Sequence, residues 1–142
     1  MLRAMLLSAV FATGLATAAS AATVDYHATM NAAAEVPPHT VPGTGRVEAT
    51  LDTTTKVLTY TMTFKDLTGA PTMAHFHGPA KAGVNAGVAV PIFKGDTPSP
   101  VKATVTLTDA QIADLQGGMW YANVHTAANP GGEIRGQMMP GK

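Results

Sequence analysis

Leu58-Thr59-Tyr60-Thr61-Met62-Thr63-Phe64 alternates apolar and polar side chains without a break. Strand side chains point to opposite faces in turn. The run therefore sets Leu58, Tyr60, Met62 and Phe64 on one face and three threonines on the other, the pattern of a half-buried antiparallel strand. The same alternation recurs on either side. Val24, Tyr26, Ala28 and Met30 interleave with Asp25, His27 and Thr29, and Val47, Ala49 and Leu51 interleave with Arg46, Glu48 and Thr50. Further on, Val101, Ala103, Val105 and Leu107 interleave with Lys102, Thr104 and Thr106. Val88, Val90 and Ile92 predict one more strand, which Pro91 confines to an edge or a bulge. Residues 52–56 fit a hairpin connection.

A single short helix is predicted after residue 107. Thr108 supplies an N-cap with Gln111 as capping-box partner, and Gly117-Gly118 stops the helix. Ile112 and Leu115 share a face and pack toward the sheet. Pro- and Gly-rich stretches at 36–38, 41–43, 78–87, 95–100 and 129–132 read as loops, because no shift in composition accompanies them. Many short strands with frequent turns predict an all-β fold, an antiparallel Greek-key β-sandwich or barrel with one short helix.

Residues 1–22 read as a secretory signal. Arg3 gives the positive start, an apolar run follows, and Ala19-Ser20-Ala21 is a small-residue cleavage site. The apolar run is shorter than the ~20 residues a membrane span needs. The expected mature chain, residues 23–142, is one domain, long enough for a single core. Without Arg3, eight Lys and Arg face nine Asp and Glu, a net charge of minus one. No basic patch invites nucleic acid, and nothing predicts membrane insertion after signal cleavage. Periplasmic or secreted localisation is expected. The chain has no cysteine. Disulfides and thiolate ligands are thereby excluded, and a metal must be held by nitrogen, oxygen or thioether donors.

Histidine supplies such donors. In Ala74-His75-Phe76-His77-Gly78, two imidazoles stand on one face of an extended segment, at the point where a strand meets a loop. In Trp120-Tyr121-Ala122-Asn123-Val124-His125-Thr126, the set Trp120, Ala122 and Val124 reads as core, and Tyr121, Asn123 and His125 share the polar face. His75, His77 and His125 together make a three-imidazole metal site, a donor set suited to copper, zinc, iron or nickel. His27, on the polar face of the first strand, and His39, in a Pro-flanked loop, are further candidate ligands. Met30 and Met62 fall at core positions, whereas Met73, Met119, Met138 and Met139 stay open as thioether donors or core filler. Glu133 and Arg135 flank Ile134 on one strand face. They read either as a rim ion pair of little net stability or as residues that orient a liganding imidazole.

Several ordered motifs carry a family resemblance. Glu35-Val36-Pro37-Pro38, Gly43-Thr44-Gly45, Ala74-His75-Phe76-His77-Gly78, the 118–126 stretch and Pro130-Gly131-Gly132-Glu133-Ile134-Arg135-Gly136-Gln137 resemble the chordin-type (CHRD) domain family, over residues 24–138. The resemblance implies an antiparallel β fold and no particular reaction. His75-x-His77 followed by Asn123-Val124-His125 is more loosely similar to the copper-ligand pattern of Cu,Zn superoxide dismutases, which implies copper. No histidine lies between His77 and His125, so the bridging histidine of that family is missing, as are its disulfide cysteines.

The expected function is an exported copper-binding protein, acting in copper sequestration, delivery or tolerance as Cu(I) or Cu(II), rather than an enzyme. The alternatives are a metal-free extracellular interaction module, with a protein partner or a second copy of the chain, and a superoxide dismutase-like copper enzyme. Imidazole must be neutral to bind, so affinity is expected to fall below a pH of about 6.5.

Overall fold

The computed structural model describes residues 22–141. The signal-like segment 1–22 lies, except for Ala22, outside the described residues. The strands are β1 (Thr23–Asn31), β2 (Thr44–Asp52), β3 (Val57–Lys65), β4 (Pro71–His77), β5 (Val88–Lys94), β6 (Val101–Thr106), β7 (Tyr121–Thr126), β8 (Ile134–Gln137) and β9 (Met139–Pro140). A 3-10 turn, Ala32–Ala34, follows β1, and helix α1, Asp109–Gln116, lies between β6 and β7. No helix among the described residues is long and apolar enough to cross a membrane.

The strands form one antiparallel sheet in the order β5-β4-β7-β8-β1-β2-β3-β6, with β9 added to β1. The sheet curls until its ends nearly meet. Phe64 of β3 lies 5.9 Å from Phe93 of β5, and Tyr60 of β3 meets Phe76 of β4 edge-on at 5.1 Å. The nearly closed barrel satisfies the all-β expectation. Its crossovers, which set β6 beside β3 and β7 beside β4, join elements distant in sequence.

Alternation explains the interior. Tyr26, Ala28 and Met30 of β1, Val47, Ala49 and Leu51 of β2, and Leu58, Tyr60 and Met62 of β3 are all buried, as predicted. Each large apolar side chain so buried contributes roughly 1.5–3 kcal/mol. The β2–β3 turn is tied by Asp52, whose Oδ1 accepts from the backbone N–H groups of Thr54 and Thr55. Pro91 lies on β5, an end strand of the sheet, and the β4–β5 register slips beside it. An end strand loses nothing by lacking one N–H. The capping box of α1 forms as predicted: Thr108 Oγ1 accepts from Gln111 N, and Gln111 Oε1 accepts from Thr108 N. Leu115 is buried and Ile112 packs against the core.

One expectation fails in an informative way. β7 was expected to bury one face, yet all six of its residues are buried. Ala122 and Val124 face the core, and loops 78–87 and 127–133 fold over Tyr121, Asn123 and His125. Hydrogen bonds hold these loops down. Asn129 N bonds Thr126 Oγ1, the Tyr121 hydroxyl accepts from Ala86 N, and the Arg135 guanidinium donates to Asn85 Oδ1 and to the Val84 carbonyl. This covered face of β4 and β7 is where the histidines lie.

Candidate metal centre

His75 and His77 stand two residues apart on β4, and the alternating Ala74 and Phe76 are turned into the core. β7 runs antiparallel beside β4, pairing Met73 with His125 and His75 with Asn123. His125 therefore reaches diagonally toward His75. Its Nε2 is 3.1 Å from His75 Nδ1. One ring nitrogen from each of His75, His77 and His125 lies within 4.8 Å of the other two. Nitrogens bound to one ion at ~2.0 Å stand at most ~4 Å apart, so a small closing of the rings brings all three into range.

The remaining ring nitrogen fixes the tautomer of His125. His125 Nδ1 donates to the Pro130 carbonyl at 2.9 Å, which leaves Nε2 with its lone pair. His77 Nδ1 lies 2.9 Å from the Ala86 carbonyl and its Nε2 3.1 Å from Asn123 Oδ1, so each of its ring nitrogens faces an acceptor oxygen. Holding an imidazole by its far nitrogen is how proteins aim it at a metal. The His77 ring also stacks on Tyr121, with planes 2° apart and centroids at 4.8 Å. β4 and β8 flank β7 on opposite sides, so Arg135 of β8 covers the Tyr121 ring from the other side, its guanidinium carbon 3.4 Å from the centroid.

Two of the three rings resist protonation. Burial, and then the proximity of His125 and His77, push His75 down to about 4. His125 is lowered by burial and by the nearby His77, against the opposing pull of its bond to Pro130. Two neutral rings at neutral pH keep their lone pairs available.

Glu133 and Arg135 are not the rim pair that one sequence reading allowed. Glu133 is fully buried and Arg135 nearly so, and they do not bond each other. Glu133 accepts from the hydroxyls of Thr68 and Thr126, from Thr68 N and from Asn129 Nδ2. Burial by itself would raise its carboxyl, but these hydrogen bonds outweigh burial and hold it below the usual range. Glu133 thus ties together the chain around Thr126, next to His125. Arg135 reaches His77 through the Tyr121 ring and through Asn85, the neighbour of Ala86.

His27 and His39 stand apart from the cluster. His27 lies on β1, three strand positions from β4, roughly 14 Å at ~4.8 Å per strand. Its Nδ1 is 3.1 Å from the Gly141 carbonyl. His39 follows the 3-10 turn, with its backbone N–H on the Ala32 carbonyl.

Two residues at this centre received no role from the sequence. Asn123 approaches His77, and the buried Glu35 lies against Asn123. Burial raises the Glu35 carboxyl; Arg135, the Val36 N–H, His39 and Asn123 pull it back only in part. Gly132, at φ +129°, makes room for this carboxylate, since a Cβ there would collide with Glu35 Oε1 and lie 2.8 Å from Asn123 Nδ2. Glu35 is marked by the Glu-Val-Pro-Pro motif and Asn123 by the 118–126 stretch, and neither declares a contact.

An all-β barrel with ordered motifs on one covered face defines the class. The chain matches the CHRD domain over residues 26–138 and belongs to that family. CHRD domains occur in extracellular proteins. No curated protein and no solved structure matches the chain.

Proposed function

We propose that this is an exported copper-binding protein, periplasmic or secreted after cleavage of its signal segment, that sequesters or delivers copper. One observation carries the reading: three imidazoles from two strands present one nitrogen each within 4.8 Å. The donor set is all nitrogen. Zinc accepts such a set, but among divalent first-row metals the same donors bind copper most tightly. Hydrogen bonds that fix the His77 and His125 rings support a site already arranged for an ion. The copper would supply the Lewis acidity and redox capacity; the chain supplies the lone pairs and the cover that limits water.

Family membership favours a second reading, a metal-free extracellular interaction module. Thermal unfolding separates the two, because a ligand that binds only the native state raises its melting temperature. Copper at a slight molar excess is expected to raise Tm, and zinc to raise it less. Protein that comes from its native compartment without metal, and whose Tm copper does not move, supports the module instead. Turnover of superoxide by the loaded protein would move the reading from carrier to enzyme.

A further inference from the structure

Met73 is an apolar side chain that the core does not use. Met30, Met62 and Met138 are wholly buried among the core residues, whereas Met73 is half-exposed and belongs neither to the core cluster nor to the partly buried residues packed on it. Its place is beside the histidines. Alternation along β4 puts Met73 on the same face as His75 and His77, and it flanks His75 on one side as His77 does on the other. Across the sheet, Met73 is the register partner of His125. Directly opposed side chains in an antiparallel pair start ~5 Å apart at Cβ, within reach of a flexible thioether. Met73 and His75 also wall the same open cleft, closed on its far side by Pro91 to Lys94 of β5. An ion reaching His75 from solvent through this cleft passes Met73.

We propose that Met73 is the fourth ligand of the His75–His77–His125 centre and that its thioether makes the centre selective for Cu(I). The inference rests on the copper-binding reading above and extends it to an oxidation state. Three imidazoles alone suit either state of copper. A thioether is a soft donor that adds much to Cu(I) and little to Cu(II) or zinc. No thiolate competes for that role, since the chain has no cysteine.

The test uses the mature chain loaded with Cu(I) under reducing conditions, alongside Met73→Leu. Leucine preserves volume and apolar character, so folding is retained. X-ray absorption at the copper edge is expected to show nitrogen neighbours and one sulfur in the wild type, with the sulfur lost in the variant. Competition with a Cu(I)-specific chelator is expected to show affinity lowered by ~10-fold or more in Met73→Leu. Cu(II) and zinc affinities should stay within about threefold of wild type. A wild-type spectrum with nitrogen neighbours only, and equal Cu(I) affinity in both proteins, overturns the assignment of Met73 and leaves the three-histidine site standing. A wild-type chain that takes up neither Cu(I) nor Cu(II) overturns both.

Discussion

His75 Nδ1 lies 3.1 Å from His125 Nε2, across the pairing of β4 with β7. His125 Nδ1–H is committed to Pro130, so in the ion-free chain the proton between the rings belongs to His75. An ion held by both nitrogens displaces that proton. At these two rings protonation and the proposed metal binding compete.

Copper retention is predicted to extend to acid pH. Ordinary histidines would release the ion as the pH falls below ~6.5. Burial and mutual proximity push His75 to about 4 and lower His125 as well, so protons compete at lower pH than the bare sequence suggests. Copper retained on the chain, measured by metal analysis after desalting across a pH series, should remain high at pH 5.5, about one unit below that ordinary value. Complete release by pH 6 would contradict the buried geometry.

The same displacement gives the ion-free protein a pH-dependent stability. His75 takes a proton at a higher pH when unfolded than when folded, so acid favours the unfolded chain. Its contribution is fully present above pH 6.5 and is lost as the pH falls toward about 4. Urea unfolding across this window should show a shallower decline for His75→Gln than for the wild type. Parallel declines would remove His75 from the account.

Arg135→Lys is predicted to be far from conservative. The buried guanidinium covers Tyr121 and donates to Asn85 and Val84, and a lysine offers neither the planar stack nor the fork. A loss of about 3 kcal/mol in unfolding free energy is expected. Copper affinity should also drop by roughly 10-fold, because loop 78–87 and the Tyr121–His77 stack are no longer held. Unchanged stability by chemical denaturation would show that the stack contributes nothing.

Glu133→Gln tests the tie beside His125. The carboxylate accepts four hydrogen bonds and sits below its ordinary range in the fold. Its stabilisation is therefore present above the unfolded carboxyl value of 4.5 and is lost as the pH falls through the lower folded value. At pH 7 the amide variant should be about 1–3 kcal/mol less stable. The gap to wild type should narrow on acidification below pH ~4. A gap that stays constant with pH would assign the effect to shape rather than charge.

Much of the barrel was legible in the chain because strand alternation is local. Leu58 to Phe64 declares its buried face regardless of what packs on it, and Pro91 declares an end strand by what it cannot donate. The Thr108–Gln111 box is equally local. The His75–His77 pair was readable as one face of a strand, and their meeting with His125 is a finding of topology, set by the crossover that lays β7 beside β4. The sequence leaves Glu133 and Arg135 open between a rim pair and residues that orient an imidazole, because charge alone carries no information about covering loops. Nothing in residues 78–87 announces that they fold over β7, where Asn85 and Val84 accept from the buried arginine. The partners of these charges come from separated segments, and no periodicity encodes such a meeting.

On the proposed reading, His75, His77 and His125 hold one copper ion between them. The most direct measurement is a chelator-competition titration of the mature wild-type chain beside His75→Ala/His77→Ala, with circular dichroism to establish that both are folded. One copper per chain in the wild type, and none retained against the chelator in the folded double variant, is the result predicted. Equal copper stoichiometry and affinity in the two proteins would contradict it.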